Sequence, residues 1–239
     1  MKFCILIFLM LTKTYSIWAQ VNPSFDEGNN AYMHQDFTTA IKSYQACLSQ
    51  GESSSLRFNL GNAYFQNGNI GPAILEYERA LQIDPRNKGI LTNLEYVRKK
   101  SGLAKEKSTF GDTLLQLLTI DTWVWITSFA FWTLIAALLF YKLLRHRFFF
   151  YFPASLILCL GTIPLLVAHK HANDAIIIKK ETPLLTSPAP TSEVTSSIEE
   201  GSRVSVKTEY NGFFFAHLSK NKEGWIQKNN LGFIREKGQ

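Results

Sequence analysis

Two apolar stretches separated by only three residues constrain this chain of 239 residues more than any other feature. Residues 122–144 and 148–168 flank the basic turn Arg145-His146-Arg147. Each is long enough to cross a hydrocarbon core, which takes roughly 20 helical residues. Buried helices of a soluble domain normally keep a polar stripe, and the run from Phe129 to Tyr141 has none. The pattern predicts a two-helix transmembrane hairpin. Trp123, Trp125 and Tyr141 near the ends of the first stretch, and Phe148 to Phe152 opening the second, suit headgroup depth. Pro153, Gly161 and Pro164 are tolerable there if a neighbouring helix covers the backbone groups they free.

The start of the chain orients that hairpin. Met1-Lys2 precedes the apolar run Phe3 to Leu11, which is too short to span a bilayer but suits the core of a signal peptide over residues 1–19, with Ala19 at its end. Such a leader sends the chain from about residue 20 onward out of the cytoplasm. The turn at Arg145, His146 and Arg147 then falls on the cytoplasmic side, where Lys142 adds to its charge. The expectation is a multi-pass protein of the bacterial inner (cytoplasmic) membrane with both soluble parts extracytoplasmic. The net charge of +6 does not point to nucleic acid, because basic residues are mixed with acidic ones and cluster only weakly, as at Lys99-Lys100. Cys4 and Cys159 lie in apolar segments and Cys47 stands alone, so neither a disulfide framework nor a metal-ligand spacing is present.

An internal repeat comes after the leader. Gly28-Asn29, Tyr32, Ala40-Ile41 and Tyr44 recur as Gly61-Asn62, Phe65, Ala73-Ile74 and Tyr77, at a constant offset of 33 residues. The second copy, from Leu60 through Tyr77, Ala80 and Asp84-Pro85, resembles a tetratricopeptide repeat, so residues 24–100 are expected to form an α-helical solenoid. Helices are expected at 24–34, 37–49, 54–66, 70–82 and 87–99, the fifth acting as a cap. The resemblance implies a concave, partner-binding face on the first helix of each repeat, presenting Asn29, Tyr32, Asn59, Asn62, Phe65 and Asn93. Asn offers a donor and an acceptor to an extended peptide, or is merely solvated; both readings stay open. The family's clamp for terminal carboxylates needs Lys or Arg where this chain has Met33, Gly89 and Asn93, so that clamp is not expected. Two repeats and a cap are few for a stable array, so support is expected from the linker, the membrane, a second copy or a partner.

Residues 101–121 read as a basic linker and an amphipathic approach to the membrane. Beyond the hairpin, the β-branched run Ile176-Ile177-Ile178, a Pro/Ser/Thr-rich loop over 182–197, the turn Asn211-Gly212 and the segments 203–209, 213–218, 224–227 and 231–234 suggest a small all-β barrel. The order of Ala175-Ile176, Pro188, Glu200-Gly201, Gly212-Phe213, Gly224-Trp225-Ile226 and Ile234 resembles a bacterial SH3-like domain over 175–236. Trp225 and Phe213 are expected in its core.

No catalytic constellation emerges. His-Glu-x-x-His, Gly-x-Ser-x-Gly, Cys-x-x-Cys and a phosphate-binding Gly-rich loop are all absent from the sequence, so no enzyme, metal or cofactor is expected. His169 and His171 alone do not make a metal site. The fold class is a multidomain membrane protein: tetratricopeptide solenoid, two-helix transmembrane hairpin and SH3-like barrel. This order of parts resembles the BatE-like family of aerotolerance-operon proteins. The resemblance implies a non-enzymatic inner-membrane scaffold whose partners are proteins, including von Willebrand A-domain membrane proteins and a MoxR-type ATPase. The alternative is an adaptor in which the SH3-like domain contacts peptidoglycan and the repeats recruit a hydrolase.

Overall fold

The computed structural model of the chain describes residues 23–103, 120–139, 162–163, 165–169, 171–218 and 222–235. The signal peptide, the amphipathic approach over 110–119, the basic turn and most of the second apolar stretch lie outside these residues. The chain divides into two compact units, Met1–Glu52 and Ser53–Gln239.

The first unit contains α1 (Pro23–Met33) and α2 (Phe37–Leu48). The Asp36 carboxylate accepts from the Thr39 N–H at 3.0 Å and caps α2. Gly28 lets the two helices touch: a Cβ there would stand 2.6 Å from Cε1 of Tyr44. The Tyr44 hydroxyl donates to Asn29 Oδ1 at 2.9 Å, and its ring lies 5.9 Å from that of Phe25. Burial pushes the Tyr44 phenol up to about 12 and also raises the Cys47 thiol.

The second unit opens with the same arrangement in its second version. Ser53 caps α3 (Ser54–Gln66) by accepting from the Leu56 N–H, and α4 (Ile70–Ile83) comes next. Here a Cβ on Gly61 would stand 2.8 Å from Cε1 of Tyr77. The Tyr77 hydroxyl donates to Asn62 Oδ1 at 2.7 Å, and Phe58 packs 5.9 Å from its ring. The Phe, Gly, Asn and Tyr of both copies thus make the same contacts 33 residues apart. Helix α5 (Lys88–Lys100), capped by Asn87, completes the bundle, with Ile90, Leu94 and Val97 buried. All five helices lie within two residues of their expected ends.

Helix α6 (Ile120–Leu139) occupies most of the first apolar stretch. Among the described residues, no helix is long and apolar enough to cross a membrane. The transmembrane hairpin is therefore not seen, although α6 exposes large rings: Trp125 is 75% accessible, Phe129 74% and Trp132 64%.

Seven antiparallel strands form the C-terminal β domain: β1 (Asp174–Ile177), β2 (Thr182–Leu185), β3 (Val194–Ile198), β4 (Arg203–Tyr210), β5 (Phe213–Leu218), β6 (Lys222–Gln227) and β7 (Leu231–Phe233). Their order is β3-β2-β6-β5-β4-β1-β7. The expected turn at Asn211-Gly212 joins β4 to β5, both residues taking positive φ (47° and 78°), as a two-residue hairpin loop requires. The core holds Ile177, Leu184, Ile198, Val204, Phe214, Ala216 and Ile226.

Two expectations from the sequence do not hold in this domain. Much of the supposed loop over 182–197 is the paired hairpin β2–β3: Thr182 and Leu184 face inward, and Thr182 Oγ1 bonds the Lys179 carbonyl. Trp225 is not core. In β6 the inward positions fall to Gly224 and Ile226, so alternation turns Trp225 to the outer face, where its ring lies 5.3 Å from that of Phe215. Phe213 is buried as expected.

The β domain succeeds the helices as a distinct antiparallel unit, yet β1 and β7 pack on α4. Ile74 and Leu75 share one apolar cluster with Ile176, Ile178 and Ile234. Gly71 and Gly232 permit the approach, since a Cβ on either would collide with Ile177 O or Leu75. Polar contacts fix the register. Glu200 Oε1 accepts from the Gly71 N–H at 2.8 Å, taking up a donor in the first turn of α4 that has no partner within the helix. Arg79 donates to the Phe233 carbonyl on edge strand β7 at 2.8 Å. Buried Glu78 binds both Arg98 and Arg203 at 2.7 Å. Part of the support that a short repeat array needs thus comes from the chain's own β domain.

Candidate functional site

The β domain occupies the outer side of α4, and the six residues expected on the concave face lie on the other helices. In the first unit, Asn29 receives the Tyr44 hydroxyl and Tyr32 meets Phe37 edge-on at 5.5 Å. In the second unit, α3 contributes Asn59, Asn62 and Phe65, and α5 contributes Asn93.

The structure joins two of these residues, Asn62 and Asn93. Asn62 Oδ1 accepts from Tyr77 at 2.7 Å and from Asn93 Nδ2 at 3.0 Å. Both lone pairs of that carbonyl are thereby used. Asn62 is a strut between helices as well as a surface group, and the Asn62–Asn93 pair keeps one amide nitrogen to donate and one amide oxygen to accept. One turn further along, Phe65 lies 5.9 Å from Tyr96 in edge-to-face geometry, and Lys100 Nζ stands 5.0 Å from the Phe65 ring centroid. Tyr96 is 56% exposed.

Tyr96 and Lys100 were not among the expected residues. Their signal was available: Asn93, Tyr96 and Lys100 come at helical spacings of three and four, so one face of α5 carries all three. The result is an amide pair beside an aromatic pair, closed at one end by a cation. It provides hydrogen bonding, apolar area and positive charge, and no nucleophile or acid–base pair.

His171 Nδ1 lies 2.6 Å from Asp174 Oδ2, and among the described residues no three His, Cys, Asp or Glu side chains are grouped to hold a metal.

A family model for the tetratricopeptide repeat matches residues 55–87, covering α3 and α4. A search of curated proteins finds no match to the chain. Residues 55–87 are therefore a tetratricopeptide repeat, a module of protein–protein interaction. The contacts repeated in α1 and α2 extend the pattern to residues 25–44, beyond the stretch that the family model covers.

Proposed function

We propose that the protein is a non-enzymatic, membrane-anchored scaffold that holds partner proteins on the face of α3 and α5. The observation that carries this reading is the division of labour around α4. Its outer side is buried under the β domain, while Asn62, Phe65, Asn93, Tyr96 and Lys100 remain together on the neighbouring helices. The amide pair suits a peptide backbone, and the rings suit an apolar side chain.

Anchoring by a hairpin over 122–144 and 148–168 rests on the length and apolarity of those stretches and on the exposed rings of α6. Packing of β1 and β7 on α4 supports an even number of crossings, since segments that share a core lie on one side of a bilayer. We place both soluble parts outside the cytoplasm in an inner membrane, on the leader-like residues 1–19 and the basic turn. The finer reading is a BatE-like complex with von Willebrand A-domain proteins and a MoxR-type ATPase, supported by the order of the parts.

The test is recovery of membrane partners with full-length Tyr96→Ala/Lys100→Glu, both changes on exposed positions that leave the Asn62 strut intact. Recovery should fall at least fivefold with helix content unchanged. Equal recovery would remove the α3–α5 face from the account.

A further inference from the structure

An apolar row crosses five strands on the outer face of the β domain. Register pairs Val194 with Leu185, Leu185 with Trp225, Trp225 with Phe215, and Phe215 with Thr208. Tyr210 extends it, its ring 6.5 Å from that of Trp225. Val194 and Tyr210 are 55% and 56% exposed, Trp225 and Phe215 are half-buried, and Leu185 is buried. Helix α4 packs on β1 and β7, which carry no member of this row.

The charges beside the row are largely matched. Glu223 lies 3.8 Å from both Lys207 and His217, and Lys228 binds Glu209 at 3.0 Å. Such a surface has little to select a charged ligand, and its aliphatic end has nothing to bond a sugar hydroxyl. It has what an interface between water and hydrocarbon accepts: Trp and Tyr rings with one polar edge, in a row that ends in the exposed Val194.

The chain also brings such an interface near. The next row on the same face, Glu223–His217–Ser205–Asp174, ends at the first residue of β1. It lies two residues along the strands, about 7 Å away. Asp174 is six residues beyond Ala168, the end of the second apolar stretch, a reach of at most about 20 Å.

We propose that this row is a membrane-contact face, on which Trp225, Phe215 and Tyr210 rest in the headgroup layer of the bilayer that holds the apolar stretches. The proposal rests on the membrane-anchored reading above. The tether holds the face at high local concentration, so a modest intrinsic affinity is enough.

The experiment uses the full chain with Cys4, Cys47 and Cys159 replaced by Ser or Ala, and one cysteine introduced by Thr208→Cys. This is labelled with an environment-sensitive fluorophore in phosphatidylcholine nanodiscs carrying a headgroup nitroxide lipid. Quenching should exceed that of a Lys88→Cys control at least threefold, and should drop to the control level with Val194→Ser/Tyr210→Ser, which alter exposed positions only. Trp225→Ala should act likewise while Phe214 and Ile226 amides keep their protection from exchange. Quenching equal to the control, in protein that still resists alkaline carbonate extraction, overturns the contact face and spares the anchored reading. Release by carbonate overturns both. Protection of the label by purified sacculi or by a partner protein, and not by lipid, overturns the proposal in favour of that occupant.

Discussion

Replacing Glu78 with Gln should destabilise the second unit by about 3 kcal/mol. The Glu78 carboxylate is buried and binds two guanidiniums, each at 2.7 Å through Oε1. Removing one member of a buried charge network typically costs 3–5 kcal/mol, because the remaining charges stay unmatched. Gln keeps the shape and one acceptor, and the Arg203 side chain is 24% accessible and partly rehydrates, so the lower end applies. For a chain of this size, about 3 kcal/mol corresponds to a fall in Tm of about 6–12 °C. The effect also has a defined sign with pH. Burial works against the charge, yet Arg203 and Arg98 hold the carboxyl below its ordinary value of 4.5. Its stabilisation is therefore fully present above pH 4.5 and lost as pH falls through the lower folded-state value. Urea unfolding of full-length protein in detergent, followed by far-UV circular dichroism between pH 3 and 7, measures both effects. A cost under about 1 kcal/mol at pH 7, or an unchanged acid limb in Glu78→Gln, would refute the reasoning.

The repeat contacts make further predictions. Gly61→Ala gains up to about 1 kcal/mol of helix propensity, but its Cβ meets the Tyr77 ring at 2.8 Å; overpacking of about 1–3 kcal/mol should win in a denaturation midpoint. Tyr77→Phe removes the hydroxyl that Asn62 accepts, and a double-mutant cycle with Asn62→Ala should return a coupling of about 0.5–1.5 kcal/mol; zero coupling would make Asn62 a surface group only. Arg79→Met removes the guanidinium from the Phe233 carbonyl on β7 and should speed exchange at the β7 amides before those of β5; equal protection would discount the edge contact.

How much of this was legible depended on whether a pattern was local. Gly28/Gly61 and Tyr44/Tyr77 were readable because each small residue faces a ring of its own repeat, and the 33-residue offset marks the pairs. The helices, the Asn211-Gly212 turn and the buried β1 run were legible from spacing, caps and β-branched residues. The docking of α4 was hidden. Ile74 and Leu75 read as repeat core whichever neighbour they face, and Arg79, Glu200 and Arg203 read as solvated charges until residues more than a hundred positions apart meet. Trp225 is aromatic without being core, because its neighbours Gly224 and Ile226 hold the inward positions. The β2–β3 hairpin is masked in the sequence by its Pro, Ser and Thr, which outnumber Leu184 and Ile198. On the candidate face, the sequence marks Asn62 but not its tie to Tyr77, since an amide that braces two helices and one that reads a peptide look alike in sequence.

The second repeat and the β domain share one apolar cluster and a set of polar contacts, and are therefore expected to unfold together. Amide exchange on full-length protein, with and without Gly71→Ala, tests it most directly, because a Cβ at Gly71 would collide with the Ile177 carbonyl where α4 meets β1. In the native chain, α4 and β1 amides should share one opening free energy, and in the variant they should lose protection together. Loss confined to α4, with the β1 amides of Ile176 and Ile177 as protected as before, would contradict it.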